Sequence, residues 1–351
     1  MRNHAAGSPH KAVTIYDISR LAGVSPATVS RVLSGSARVS EAKRKAVLQA
    51  VQDSGFLPNA LAQSLASSRT HTIGFLVPDI KNPYFSSIYY HVEILASQNG
   101  YAVLLANSRG AFENESRILQ ALTGRRVDAI VFMGGRIDAF PCSAAGIAEL
   151  EKFNRMVPLL LTSRVEGTSI PQLCSREDGA VLALMRHLSE QGCRTFAILG
   201  GAEDVSVLHR RRALMLACGC RFGMVTQPKW ALTDTGFSIE SGRQAAAQLL
   251  QCGELPDAVC CINDMVAAGA LQQLRSDGLQ IPQDLLLTGF DGEVFSEVVD
   301  PGITTAAFDY PDFAQRIFDL LMRGIHQEPC APVTELYPHL TIRGSTRREA
   351  P

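Results

Sequence analysis

Several things are missing from this sequence, and each absence removes a class of protein. No run of apolar residues is long enough to cross a bilayer, although hydrophobic residues make up 46% of the chain, so no membrane partner is expected. The opening residues, Met1 to Pro9, contain no apolar stretch, so we expect no secretory signal and a cytoplasmic home. The nine cysteines include no CxxC pair and no Cys–His grouping at zinc-ligand spacing. Buried, reduced thiols are the reading that remains. There is no GxSxG elbow, Walker loop, GxGxxG or HExxH. We therefore assign no catalytic residue, no metal site and no cofactor, and read the chain as a non-enzyme. Residues 341–351 carry no leucine heptads, so a C-terminal coiled coil is not expected.

What is present is an uneven distribution of charge over 351 residues, a length that implies two or three compact units. Residues 1–70 hold nine Lys/Arg against three Asp/Glu, while the remainder holds 24 against 31. A basic head on an acidic body suits a protein whose head alone meets a polyanion; a merely solvated helical surface is the alternative.

The head reads as three short helices. Thr14 and Asp17 have capping-box spacing, Ile18, Leu21 and Ala22 share a helical face, and Gly23 ends the first helix. Ser25 is placed as the N-cap of a second helix, with Pro26 at its first position and Val29, Val32 and Leu33 inward. After the Ser34-Gly35-Ser36 turn, Ser40 is placed as the cap of a third helix to about Asp53, with Val47, Ala50 and Val51 inward. This is the helix-turn-helix plan, which other small three-helix units also satisfy. A short segment from Pro58 to Ala66 follows, too short to be stable alone.

From Thr72 the rhythm changes to alternating strands and helices. Strands are expected at 73–77, 102–106, 129–133, 159–161, 196–199, 259–262 and 285–288. Helices are expected at 84–98, 113–122, 179–190, 241–250 and 265–276. Such alternation implies two parallel sheets with helices on both faces, about 72–172 and 173–300. Ligands in such folds bind beyond the carboxyl ends of strands.

The ordered motifs resemble the lactose/galactose repressor (LacI/GalR) family over nearly the whole length. They are VTIYDISRLAGVSPATVSRVL from Val13 to Leu33, then Val39-Ser40-Glu41 and Pro58-Asn59-Ala60. In the body they are Ile73-Gly74, Val77-Pro78-Asp79, Asn82-Pro83-Tyr84-Phe85, Leu199-Gly200-Gly201, Asn263-Asp264, Gly289-Phe290-Asp291 and Arg343-Gly344-Ser345-Thr346. The resemblance implies an all-α helix-turn-helix DNA-binding head (1–57), a hinge helix and linker (58–70), and an α/β periplasmic-binding-protein-like body (71–351). The body's two doubly wound lobes would span about 71–172 with 306–334, and 173–305 with 335–351. It also implies a homodimer on a near-palindromic operator, controlled by a small polar effector, with a repressor as the expected outcome.

Carried over residue by residue, the resemblance sets the second helix in the major groove with Pro26, Ala27 and Arg31 facing bases. Arg31 has the geometry to bond guanine O6 and N7, or alternatively a phosphate. Pro26 and Ala27 offer only apolar contact. Ser25, Thr28 and Ser30 suit phosphates or capping, and Thr14 and Tyr16 join the DNA-facing set. In the hinge segment, Asn59, Ala62 and Leu65 correspond to minor-groove positions, Leu65 being the wedge unless it packs on the body. For the effector, the corresponding positions are Asp79, Asn82, Tyr84, Phe85, Ser163, Arg212, Phe237, Asn263 and Asp291. Phe85 could instead be core, and Arg210 or Arg211 could replace Arg212. Ser163-Arg164 and Ser175-Arg176 stand where the family often has aspartates, which shifts the expected effector from a neutral sugar toward a sugar acid or sugar phosphate. A transport-type solute-binding protein would share the body but not the basic head.

Overall fold

The computed structural model describes residues 13–33, 39–55 and 69–347. The chain divides into two compact units, Met1–Thr70 and His71–Pro351. Asn59, Ala62 and Leu65 lie outside the described residues, as does the Ser34–Ser36 turn.

In the head, α1 (Ile15–Ala22), α2 (Pro26–Leu33) and α3 (Glu41–Ser54) surround Ile18, Val29, Val32, Val47 and Ala50. The Thr14 N–H donates to Asp17 Oδ2 at 2.9 Å, and the Thr14 hydroxyl accepts from the Asp17 N–H, closing the capping box. Gly23 sits at φ 63°, a left-handed conformation that reverses the chain between α1 and α2. Ser25 Oγ accepts from the Thr28 N–H at 3.2 Å, which fixes the start of α2. Two expectations fail here. Ser40 precedes α3 in extended conformation but makes no side-chain cap bond. Leu21 is 66% exposed, because Ile18 and Ala22 fill the buried side of α1 and Leu21 falls beyond its edge.

The body is built on two six-stranded sheets. The first contains β1 (Thr72–Val77), β2 (Ala102–Asn107), β3 (Ala129–Phe132), β4 (Leu159–Leu161), β5 (Gln172–Ser175) and β11 (Val333–Leu336), in the order β11-β5-β4-β3-β1-β2, all parallel. The second contains β6 (Phe196–Leu199), β7 (Ala231–Leu232), β8 (Ala258–Cys261), β9 (Leu286–Asp291), β10 (Thr304–Ala307) and β12 (His339–Thr341), ordered β12-β10-β9-β8-β6-β7. Only the β10–β12 pairing is antiparallel. Helices on both faces bury the strands, and β3, β4, β6 and β8 are buried at every position.

The chain passes between lobes three times, after β5, after β10 and between β11 and β12. β5 belongs to the first sheet and β10 to the second, so the first two crossings fall a few residues later than residues 172 and 305. The helix Tyr310–His326 packs against Pro83–Gln98 and strands β3 and β4, which locks the returning chain onto the first lobe. In each sheet the order reverses beside the first strand, between β1 and β3 and between β6 and β8. Crevices open at such places at the carboxyl ends of strands.

Candidate functional site

On the head, Ala27 and Arg31 lie one turn apart on the exposed side of α2, opposite buried Val29 and Val32. Ser25 and Thr14 are exposed at the two helix starts, and Tyr16 is 67% exposed. Pro26, Thr28 and Ser30 are half-buried, and the Thr28 hydroxyl lies 2.9 Å from that of Ser25. The three-helix core thus holds α2 rigidly by one side while its other side stays open.

In the body, the facing strand ends enclose a cleft of 830 Å3. Two cross-lobe backbone bonds hold its mouth, from the Phe140 N–H to Asp204 O (2.7 Å) and from the Ser206 N–H to Asp138 O (2.6 Å). Asp79, Asn82, Tyr84, Phe85, Ser163, Phe237, Asn263 and Asp291 all line this cleft. Their side chains are not equally free. Asn82 caps the helix Pro83–Gln98, its Oδ1 accepting from the Tyr84 N–H at 3.0 Å. Asn263 caps the helix Asp264–Ser276, and its amide also donates to Phe237 O at 3.0 Å, which positions that ring. Asp79 accepts from the Lys81 N–H at 3.0 Å and is exposed. The Tyr84 and Phe85 rings meet edge-on at 5.1 Å. Burial, reinforced by the charge of Asp291, pushes the Tyr84 phenol up, so it remains a hydrogen-bond donor.

Arg212 is not in the cleft. It lies 3.5 Å from Glu203 with its side chain 37% exposed, and its neighbour Arg211 occupies the floor. Both sit on the helix Ser206–Arg221, where successive side chains point 100° apart, so Arg210 and Arg211 reach the cleft lining and Arg212 turns out of it. Arg211 Nε and Nη2 donate to Glu177 at 3.1 and 3.0 Å, Nη2 donates to Asp291 at 2.8 Å, and Nη1 donates to Ile262 O at 2.6 Å. Its guanidinium stacks 3.6 Å from the centre of the Phe290 ring. Burial alone would lower its basicity, but Asp291 and Glu177 outweigh burial and hold it firmly protonated. Asp291 has φ 95°, a strained conformation for a residue with a side chain, braced by the Tyr310 hydroxyl donating to its carbonyl at 3.0 Å.

Four further cleft carboxylates, Asp138, Glu177, Asp204 and Glu335, escaped the sequence reading. Asp138 accepts a short hydrogen bond from Ser163, and Glu177 holds Arg211. Asp138 follows β3, so the strand-end rule could have found it; Glu177 follows β5, a strand too polar to be recognised. Burial raises the Asp138 carboxyl, against the Ser163 hydrogen bond and the charges of Arg210 and Arg211. With these acids present, the substitution of Ser163 and Ser175 for aspartates does not leave the cleft short of carboxylates. That argument for an anionic effector falls.

The cysteine expectation needs amending. All nine are free, but only Cys174, Cys193, Cys260 and Cys261 are buried; Cys142 and Cys220 are exposed. Among the described residues no helix is long and apolar enough to span a membrane, and no cluster of three or more His, Cys, Asp or Glu is placed to hold a metal.

A helix-turn-helix head joined to a two-lobed, cleft-bearing α/β body defines a DNA-binding transcription regulator. Residues 14–59 match the family of bacterial regulatory proteins, lacI family, and residues 185–346 match the periplasmic binding protein-like domain. Catabolite control protein A of Priestia megaterium is 30% identical over 349 residues, covering 95% of this chain and 99% of that protein. The HTH-type transcriptional repressor CytR of Escherichia coli (strain K12) is 29% identical, covering 96% and 97%. The crystal structure of the lac repressor dimer bound to operator and the anti-inducer ONPF superposes with a TM-score of 0.86 at 26% identity, covering 96% of this chain and 99% of that one. The chain belongs to the lacI family, and it regulates transcription by binding DNA.

Proposed function

We propose that this protein is a homodimeric repressor whose affinity for a near-palindromic operator is set by a small, hydroxyl-bearing effector bound between the body lobes. The observation that carries the effector reading is the floor of the cleft. There Arg211 already makes four hydrogen bonds, leaving one of its five N–H groups, while the carboxylates of Asp291 and Asp138 retain lone pairs. Acceptors in a half-dry cleft, beside the faces of Phe237 and Tyr84, suit a ligand that donates hydroxyl hydrogens and presents an apolar face. A ligand held by Asp138 and Ser163 on one lobe and by Asp291 on the other binds the closed arrangement better than an open one. That differential is what couples effector to operator.

On the DNA side, Arg31 is assigned to guanine, Pro26 and Ala27 to apolar base contact, and Thr14, Tyr16, Ser25, Thr28 and Ser30 to phosphate contact or capping. Asn59, Ala62 and Leu65 are assigned to the minor groove on the resemblance alone. The segments 1–57, 58–70 and 71–351 are taken as head, hinge and body. We place the protein in the cytoplasm, on nucleoid DNA, acting as a regulator and not as an enzyme. The lac repressor structure, a dimer on operator, supports the dimeric reading.

The test has two arms. Selection from a randomised duplex library should return a near-palindrome, and a thermal-shift panel of sugars, sugar acids and sugar phosphates should give a binder that alters operator affinity. At ~100 times its dissociation constant such a binder adds ~2.7 kcal/mol of stability. Recovery of unrelated sequences, or a binder without effect on operator affinity, would overturn the reading.

A further inference from the structure

Among the described residues five arginines line the cleft, and three of them are neutralised twice over. Arg136 is bonded to Glu115 and Glu149, Arg176 to Asp178 and Glu335, and Arg211 to Glu177 and Asp291. Arg164 and Arg210 differ, for among the described residues neither forms an ion pair. They come from opposite lobes, Arg164 from the exit of β4 and Arg210 from the helix Ser206–Arg221. They also reach one neighbourhood. Burial raises the Cys174 thiol in the cleft wall, and the charges of both Arg164 and Arg210 act against that rise. Two like charges on the walls of one cleft repel, and although Asp138 and Glu335 temper Arg210 and Arg164 from a distance, no acid among the described residues pairs with either. The acids that would do so are engaged elsewhere: Glu335 binds Arg176, and Asp138 binds Ser163.

We propose that the effector carries an anionic group, a carboxylate or a phosphate, which sits between Arg164 and Arg210 while its hydroxyls face Asp138 and Asp291. This rests on the cleft being the effector site. The guanidinium fork matches either anion with paired hydrogen bonds, and the strength of such bonds rises as water leaves. The cleft then offers cations and carboxylate acceptors together, which orients a ligand that carries both an anionic group and hydroxyls. An anion shared by the two arginines also ties the lobes together, converting a repulsion that favours opening into a bridge that favours closure.

Calorimetric titration of the full chain with inorganic phosphate, and separately with acetate, tests this. Wild-type protein should bind one of the two saturably. The variant carrying Arg164→Gln and Arg210→Gln should bind it at least about tenfold more weakly, as expected for loss of charge-assisted bonds. Arg164→Gln alone changes an exposed side chain, so it gives a second reading should the double variant fail to fold, and it too should weaken binding. Tighter binding of phosphate assigns a phosphorylated effector, and tighter binding of acetate an acid. No saturable binding of either, or equal binding by the variants, overturns the proposal. Retention of the wild-type chain on its selected operator, measured without added anion, reports separately on the functional reading.

Discussion

Replacing Arg211 by alanine should be among the most damaging single changes in the body. The Arg211 side chain is 6% exposed, and its partners Glu177 and Asp291 are 3% and 7% exposed. Removing the guanidinium leaves two carboxylates without their cation, opens the Phe290 face and strands Ile262 O. Breaking a buried ion pair from one side costs ~3–5 kcal/mol, which for a unit of this size lowers Tm by roughly 6–20 °C. The loss should also depend on pH. Burial already raises the Asp291 carboxyl and Arg211 opposes that rise, so without Arg211 the folded variant takes up a proton there and its deficit shrinks as pH falls from 8 toward 5. Adding Glu177→Gln and Asp291→Asn to the variant should recover part of the loss, because no charge is then buried alone. Arg212→Ala is the control. Its pairing with Glu203 is long and solvent-exposed, so its removal should cost ~0–1 kcal/mol. Differential scanning calorimetry of the four proteins at pH 5, 6.5 and 8 decides the matter. Equal melting of the Arg211 and Arg212 variants would refute the assignment of Arg211 as the buried hub, and a deficit independent of pH would refute the electrostatic account of it.

Arg31→Ala should cost roughly 1–3 kcal/mol per half-site and relax preference at one guanine; uniform weakening over an operator-variant panel would show that Arg31 holds only phosphate. Burial pushes Asp264 up to about 8 and Glu293 up to about 9, with Asp291 adding to both, so both stay protonated at neutral pH. Acids with raised folded pKa values lose stability as pH climbs from ~4, by up to ~1.4 kcal/mol per pH unit for each group, and the loss levels off above the folded values. Asp264→Asn with Glu293→Gln should therefore flatten the fall in Tm between pH 5 and 8, and an unchanged slope would count against it. Gly269 lets the helices Ile239–Leu250 and Asp264–Ser276 meet closely, since a Cβ there would collide with the Ile239 carbonyl oxygen. Gly269→Ala should lower stability by ~1–3 kcal/mol in chemical denaturation, and an unaltered midpoint would show that the two helices separate freely.

Local chemistry by itself determined the head and the rhythm of the body. The Thr14–Asp17 box, Gly23 and Pro26 act within a few residues, so α1 and α2 were legible without knowledge of any distant partner. Strands such as β3 and β8 were legible because burial on both faces demands an unbroken apolar run. Strands β5, β7, β10, β11 and β12 were not, being short or polar. Thr304 and Thr305 in β10 are fully buried because the distant residues Ser345, Thr346 and Arg343 satisfy Thr304's hydrogen bonds and β9 and β12 flank both residues. The site divides in the same way. Asp79, Phe237, Asn263 and Asp291 stand at or near element ends, where the alternation of strand and helix already points to a ligand. Which two of three consecutive arginines enter the cleft, and that Asp138 and Glu177 meet them there, depends on helix rotation and on lobes brought together from residues 138, 177, 211 and 291. Only the tertiary structure fixes those, because burying Arg211 is tolerable only when two carboxylates remote in sequence arrive beside it.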